Sequence, residues 1–187
     1  METTLASWNV NSLNVRLPHL QEWLQLRQPD IVGLQETKLE DSRFPDSELA
    51  GLGYRSVFAG QKTYNGVAIL SRAPATDVQV GIPGFGDVQQ RAIAATIGDL
   101  RVVNLYVVNG QDVGTEKYDY KLRWLDAVHG WLASELRAHP RLVVMGERGR
   151  SRLALVNAAW LCVLAGLGLS LLGVYAIDVG QNPTAHS

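Results

Sequence analysis

Three residues near the N-terminus carry side-chain oxygens suited to a divalent metal ion. Asn9 and Asn11 stand at the end of the run TLASWNVN, and Glu36 directly follows the apolar run IVGLQ. Hard cations such as Mg²⁺ take carboxylate and amide oxygens as ligands and keep several waters. If the two runs are neighbouring strands, these oxygens converge at one edge of a sheet. Asn and Glu at strand ends also commonly do no more than cap turns, and spacing alone leaves both interpretations open.

The elements that must position these residues alternate along the chain. Short β-branched runs predict strands near residues 4–10, 30–35, 55–59, 66–71, 92–97, 101–108 and 142–145. Apolar residues at helical spacing predict helices over 18–26 and 117–137, with loops over 41–46, 64–66, 81–87 and 109–114. The predicted buried stripe of the second helix is Leu122, Leu125, Val128, Leu132 and Leu136. Trp124 and Trp131 of the same helix are expected to pack rather than to contact a ligand. This alternation is typical of a layered α/β or α+β domain.

Charge divides the chain into two parts. The 187 residues hold 17 Lys and Arg against 18 Asp and Glu, and every charged residue except Asp178 lies at or before Arg152. A nearly neutral body excludes a polybasic nucleic-acid coat and an acidic disordered tail, so any nucleic-acid contact must come from a local patch. The single cysteine, Cys162, excludes an intrachain disulfide and a cysteine zinc site, which favours a reducing compartment.

Six strings in one order carry a family resemblance. They are SWNVNSL, QPDIVGLQETKL, NGVAILSR, QRAIAATI, RVVNLYVVNGQ and RLVVMG. Together they resemble the N-terminal part of the exonuclease III family, the bacterial and eukaryotic apurinic/apyrimidinic (AP) endonucleases within the endonuclease/exonuclease/phosphatase fold. The resemblance covers about residues 5–146. It implies a phosphodiesterase dependent on Mg²⁺ or Mn²⁺ that acts on duplex DNA, cutting at abasic sites and trimming 3′ ends.

The resemblance also implies roles for individual residues. Glu36 of LQETK is similar to the family's metal-binding glutamate, and Asn9 to the asparagine beside it. Tyr106 of NLYVVNG resembles the active-site tyrosine, Asn109 a phosphate-contacting asparagine, and Lys38 the lysine next to the metal, so Asn109 and Lys38 are the predicted DNA contacts. Without the resemblance, Tyr106 is better explained as an aromatic residue packing on a sheet face.

The sequence departs from the family pattern after Gly146. There the family continues with an aspartate, one further residue and an asparagine, which position the attacking water, whereas this chain reads Glu147, Arg148, Gly149. Glu147 keeps a carboxylate and is the second predicted catalytic residue beside Tyr106. Its extra methylene displaces the oxygens by about 1 Å, and such a misplacement costs roughly 100-fold in rate. The second half of the family's active site, an Asp/Asn pair and a C-terminal Ser-Asp-His string, also has no counterpart in this sequence. The sequence therefore predicts an impaired nuclease.

The resemblance and the length predict an α+β fold consisting of half of a DNase I-like four-layer α/β sandwich. Residues 1–146 are then a truncated nuclease domain that encodes mainly one sheet and its helices. The inner face of that sheet lacks a partner on this interpretation, which predicts a partner chain or a homodimer that covers it.

The C-terminal part predicts a membrane anchor. Residues 147–152 form a basic junction, and the 25 residues 153–177 carry no charge. A helix of that length reaches about 37 Å, enough to cross a hydrocarbon core of about 30 Å. Because the arginines precede the segment and no Lys or Arg follows it, residues 1–146 are expected in the cytoplasm, anchored to the inner membrane, with the polar tail 178–187 outside. The alternative is a buried core helix.

Three functions remain open from the sequence. The chain is a metal-dependent DNA nuclease, a non-catalytic membrane-tethered module that binds DNA, or a chimeric gene product without activity.

Overall fold

Two mixed sheets are built from the residues that the computed structural model describes, which are 3–109, 112–147 and 174–176. The strands are β1 Leu5–Asn9, β2 Ile31–Gln35, β3 Arg55–Ala59, β4 Val67–Ser71, β5 Ala75–Val80, β6 Ala92–Ile97, β7 Leu100–Tyr106, β8 Leu142–Glu147 and β9 Val174–Ala176. The helices are α1 Leu13–Arg27, α2 Asp46–Ala50 and α3 Glu116–Ala138, with a 3-10 turn over Asp41–Arg43.

The strand order shows how the chain divides between the sheets. The first sheet has the order β3-β4-β2-β1-β9 and the second β5-β6-β7-β8. Strands β1 and β2 run parallel, as do β7 and β8, whereas β4 is antiparallel to β2 and β6 is antiparallel to β7. The carboxyl ends of one parallel pair in each sheet are therefore available to meet.

The inner faces of the two sheets pack against each other. Leu5, Ile31 and Ile69 of the first sheet share one buried apolar cluster with Val102 and Met145 of the second. The expectation of half a sandwich with an uncovered inner face is wrong, because the apolar runs after residue 75 form a second sheet that buries that face. The reason for expecting a partner chain or a homodimer over it is removed as well.

Helices cover the outer faces and complete four layers. Leu13, Leu20 and Leu24 of α1 pack in a cluster on the first sheet, and Trp124, Val128 and Trp131 of α3 pack on the second. Burial of both tryptophans confirms that they are packing residues.

Two other predictions about the helices are wrong. Leu122 and Leu125 are 48% and 38% exposed, because α3 turns its bulky indoles, which bury more apolar area, toward the sheet.

Helix α1 begins at Leu13 rather than at Pro18. Its first turn is supported from outside, because the Ser12 and Leu13 N–H groups donate to the carbonyls of Glu36 and Thr37 at 2.8 and 2.9 Å.

A buried amide joins the two sheets. The Asn104 Nδ2 group of β7 donates to the carbonyls of Leu34 and Ala68 at 2.8 and 2.9 Å, and the Gln35 Nε2 group donates to Asn104 Oδ1 at 2.6 Å. Asn104 is fully buried. It fits because Gly33 has no side chain, and a Cβ there would lie 3.0 Å from Asn104 Oδ1.

The predicted C-terminal segments fall almost entirely outside the described residues. This applies to the junction after Glu147, to the predicted span 153–177 except its residues 174–176, and to the tail 178–187. Val174–Ala176 form β9, parallel to β1, so the helix predicted there is wrong for these residues, of which Val and Tyr favour strands. None of the helices in the described part of the chain is long and apolar enough to cross a membrane.

Candidate active site

Strand ends from both sheets meet at one cleft. Asn9 ends β1 and is paired with Gln35, the residue before Glu36, while Tyr106 ends β7 and is paired with Glu147 at the end of β8. The cleft has a volume of about 400 Å³. It is lined by Glu36, Lys38, Gln61, Tyr64, Asn65, Gln89, Arg91 and Tyr106.

Glu36 is the carboxylate among these lining residues, and several groups hold it. Asn9 Nδ2 donates to Glu36 Oε1 at 2.9 Å, and Lys38 Nζ lies 2.9 Å from Oε2. The Tyr106 hydroxyl donates a hydrogen bond to the same carboxylate. Lys38 Nζ also donates to Asn11 Oδ1 at 2.5 Å. Glu36 is thus fixed from both sheets.

The surroundings keep Glu36 ionised. Burial alone raises the pKa of its carboxyl, but the hydrogen bonds from Asn9, Lys38 and Tyr106 and the Lys38 charge outweigh burial and hold the pKa below its ordinary value. An anionic carboxylate in a cleft is the state that binds a cation.

We expect the stability that Glu36 contributes to disappear on acidification. Because its pKa is lowered by folding, the contribution is fully present above the ordinary glutamate pKa of about 4.3 and is lost as the pH falls through the folded value. The free energies of unfolding of the wild type and Glu36→Gln, from urea titrations between pH 7 and pH 3, should differ by a constant amount above about pH 5 and converge below about pH 4. A difference that already shrinks above pH 5 would mean that the pKa is raised.

The backbone around the cleft adopts unusual conformations. Asn11, Glu36, Lys38 and Asn65 have φ of 42°, 54°, 53° and 56°. The left-handed region costs a non-glycine residue about 1–2 kcal/mol. Hydrogen bonds maintain it here, including that from the Lys38 N–H to the Asn65 carbonyl at 2.9 Å. Such strained residues cluster at functional sites.

Arg91 adds a second cation on the side of the other sheet. Its guanidinium carbon lies 4.6 Å from the centre of the Tyr106 ring, and the Tyr106 N–H donates to the Arg91 carbonyl at 2.7 Å. Cations over an aromatic face are attracted by about 0.5–2 kcal/mol. The cleft therefore places an anionic carboxylate between Lys38 and the Arg91–Tyr106 pair.

The structure brings most of the sequence-predicted residues together. Glu36, Lys38 and Tyr106 line the cleft, and Asn9 lies beside Glu36, with its Oδ1 accepting the Asn11 N–H at 2.9 Å. Tyr106 is buried in the inner cluster, as the packing interpretation predicts, and its hydroxyl also bonds Glu36. Asn109 is exposed three residues beyond β7 and is not among the lining residues. Metal binding by Glu36 and Asn9, DNA contact by Lys38 and Asn109, and catalysis by Tyr106 and Glu147 stay predictions.

Five lining residues were missed from the sequence. They are Gln61, Tyr64, Asn65, Gln89 and Arg91. Residues 65 and 91 precede strands β4 and β6, whose first residues pair with Gln35 and Leu105. The sequence contains one signal for these residues, which is that polar residues stand immediately before a buried run. This signal identifies the cleft only if β4 and β6 are known to run antiparallel to β2 and β7.

The donor set fits a hard divalent cation. Glu36 supplies an ionised carboxylate, and Mg²⁺ is usually held by one or two carboxylates together with waters and substrate phosphates. Within the described ranges, no three His, Cys, Asp or Glu side chains gather, which argues against a closed all-protein metal cage. A cation at Glu36 would leave coordination positions to solvent or a phosphate.

Comparison with known proteins points to one family. The model of the family described as Endonuclease/Exonuclease/phosphatase matches residues 6–146. The exodeoxyribonuclease III of Haemophilus influenzae is 32% identical over 147 residues, which are 75% of this chain and 55% of that protein. The chain thus spans about half the length of the curated relatives it matches.

Solved structures show the same similarity. A 3′ phosphatase from Neisseria, bound to a product DNA hairpin, superposes with a TM-score of 0.76 and 46% identity over 77% of this chain and 56% of that one. An AP endonuclease from Archaeoglobus fulgidus gives a TM-score of 0.72 and 37% identity, over 77% of this chain and 56% of the other.

Proposed function

The chain belongs to the endonuclease/exonuclease/phosphatase family, and on this premise we propose that it acts on DNA as a divalent-metal-dependent phosphodiesterase of the exonuclease III and AP endonuclease type. The observation that carries the proposal is the cleft in which an ionised Glu36 lies between Lys38 and the Arg91–Tyr106 pair. Phosphoryl transfer needs this combination, because an anionic ligand holds the metal while cationic and hydroxyl donors face the phosphate.

The relatives support DNA as the substrate class. Their names describe an exodeoxyribonuclease, an AP endonuclease and a 3′ phosphatase, and the last of these was solved with a product DNA hairpin. Each of these activities cleaves a phosphate ester. The residues of this cleft are suited to that shared chemistry, the cleavage of a phosphate ester.

The side chains divide the work between metal and phosphate. Glu36 would hold a divalent cation, and that cation would supply Lewis-acid stabilisation of the negative charge that develops on a phosphoryl oxygen. Asn9 orients the carboxylate by donating to Oε1 at 2.9 Å. Lys38 and Arg91 attract the phosphodiester, and the Tyr106 hydroxyl lines the same cleft, where it donates to Glu36.

We propose that turnover is slow in this chain. Glu147 stands in register with Tyr106 on the neighbouring strand, where the family has its aspartate, and Arg148 and Gly149 provide no asparagine after it. The longer side chain displaces its carboxylate by about 1 Å relative to aspartate, and a misplacement of this size costs roughly 100-fold in rate. DNA binding, which depends on Lys38 and Arg91, is retained.

The full chain should therefore bind a duplex that carries one abasic site and cleave it slowly in Mg²⁺, but not in EDTA. Binding is measured by fluorescence anisotropy and cleavage on denaturing gels, next to an exonuclease III assayed under the same conditions. The expected rate is about 100-fold below that of the comparison enzyme. Binding without any metal-dependent cleavage would favour a non-catalytic DNA-binding module, and the absence of both from a folded sample would refute a function on DNA.

A further inference from the structure

Amide side chains join a loop of one sheet to a loop of the other at the cleft. Asn65 Nδ2, before β4, donates to Gln61 Oε1 at 3.1 Å and to Gln89 Oε1, before β6, at 3.3 Å. The backbone supports the same junction, since the Gln90 N–H donates to Gln61 Oε1 at 2.8 Å and the Gly66 N–H donates to the Gln90 carbonyl at 2.9 Å. Asn65 is buried, so its amide is committed to these partners.

The chain of amides ends at Arg91, one of the two cationic side chains among the described residues that line the cleft. Gln89 Oε1 accepts a hydrogen bond from Arg91 Nε at 2.9 Å. Arg91 Nη1 donates to the Tyr106 carbonyl at 3.5 Å, the guanidinium also donates to the Tyr120 hydroxyl of α3, and it lies over the Tyr106 ring. A guanidinium carries five N–H donors in a fixed plane, so a bond at Nε sets the direction of the donors on the two terminal nitrogens.

We propose that Gln89 is a positioning residue that acts through Arg91. Asn65 holds the amide oxygen of Gln89, and this oxygen accepts from Arg91 Nε. Gln89 thereby keeps the guanidinium over Tyr106, with the remaining terminal N–H donors directed to a phosphodiester in the cleft. Without Gln89 the long arginine side chain samples more rotamers, and ordering it on binding costs affinity. The identity of the ligand, a phosphodiester, rests on the proposed function. The positioning of Arg91 by Gln89 does not depend on it.

The positioning is tested in the free protein by NMR. In Gln89→Ala, the Arg91 Nε–H proton should exchange with solvent at least about tenfold faster than in the wild type, because its acceptor is lost. Gln89→Glu retains an acceptor oxygen and should restore slow exchange. Gln79→Ala is the matched control, since Gln79 does not line the cleft and its side-chain amide donates to the neighbouring Val80 carbonyl. Unchanged exchange in Gln89→Ala would overturn the proposal, whether or not the chain acts on DNA.

The consequence for the ligand is tested by a double-mutant cycle. Gln89→Ala should weaken binding of the abasic duplex about tenfold in the wild type, but less than about twofold in the Arg91→Ala background, because it acts only through Arg91. The melting temperature should stay within about 3 °C of the wild type. Equal losses of affinity in both backgrounds would show a general effect on loop structure and refute the positioning role.

The two experiments separate two failures. If the wild type does not bind DNA while Arg91 exchange still depends on Gln89, the proposed function fails and the positioning stands. If the wild type binds DNA and the exchange rate of the Arg91 Nε–H proton does not change in Gln89→Ala, the positioning role of Gln89 is refuted and the proposed function stands.

Discussion

Substituting Glu36→Gln is expected to lower the affinity of the full chain for Mn²⁺ or Mg²⁺ about 100-fold and to abolish metal-dependent DNA cleavage. The reason is that Glu36 is the carboxylate lining the cleft, and a neutral amide attracts a divalent cation far less strongly. Glutamine has nearly the same size and fills the same space, and its single amide oxygen keeps an acceptor for one of the two donors, Asn9 or Lys38. Electron paramagnetic resonance of Mn²⁺, with Mg²⁺ as competitor, measures the affinity.

A second glutamate provides the matched control. Glu48 is exposed on α2, outside the cleft, and Glu48→Gln removes the same charge from the protein without changing the donor set. Its metal affinity should equal that of the wild type. Undiminished Mn²⁺ affinity in Glu36→Gln, displaced by Mg²⁺ as before, would place the metal at another site and would remove Glu36 from the proposed mechanism.

Gly66→Ala is expected to lower the free energy of unfolding by about 3 kcal/mol, which corresponds to roughly 6–12 °C in melting temperature. Gly66 has φ of +90°, and a Cβ there would lie 2.1 Å from Thr37 Oγ1. Thr37 is buried, so its side chain has little room to move away. Strain of about 1 kcal/mol from the backbone therefore adds to overpacking of about 2 kcal/mol.

The two contributions are separated by another glycine. Gly53 has φ of +84°, and nothing lies within 4 Å of a Cβ built there. Gly53→Ala should therefore show the backbone strain alone, about 1 kcal/mol. Thermal melts and urea titrations of both variants measure the difference. If the two substitutions cost the same, the close approach of Gly66 to Thr37 does not constrain the loops around the cleft.

The sequence predicts strands well where apolar residues form an uninterrupted run. Strands β2 and β4 are buried at every position, and both were placed to within a residue. Strand β5 was missed because most of its side chains are exposed and its pairing with β6 is irregular between Thr76 and Gln79. Apolar runs also do not say which sheet a strand joins, so the sequence predicts mainly one sheet where the structure has two.

The residues of the candidate site also fall into those that the sequence predicts and those that it does not. Glu36 and Tyr106 were found because each ends a strong apolar run within a string shared with the family. Arg91 and Gln89 were not found, because their place in the cleft depends on pairing between residues far apart in the chain, such as Ala92 with Leu105. Spacing along the sequence does not contain that information.

The buried Asn104 amide has a consequence for motion at the cleft. Because it bonds the Leu34 and Ala68 carbonyls and accepts from Gln35, sliding or separating the sheets by one residue would leave several buried polar groups unpaired, at about 1–3 kcal/mol each. The two walls of the cleft, which end in Glu36 and Tyr106, are thereby coupled into a single cooperative unit. Opening and closing by hinge motion between the sheets is disfavoured, and adaptation to a bound strand falls to the loops.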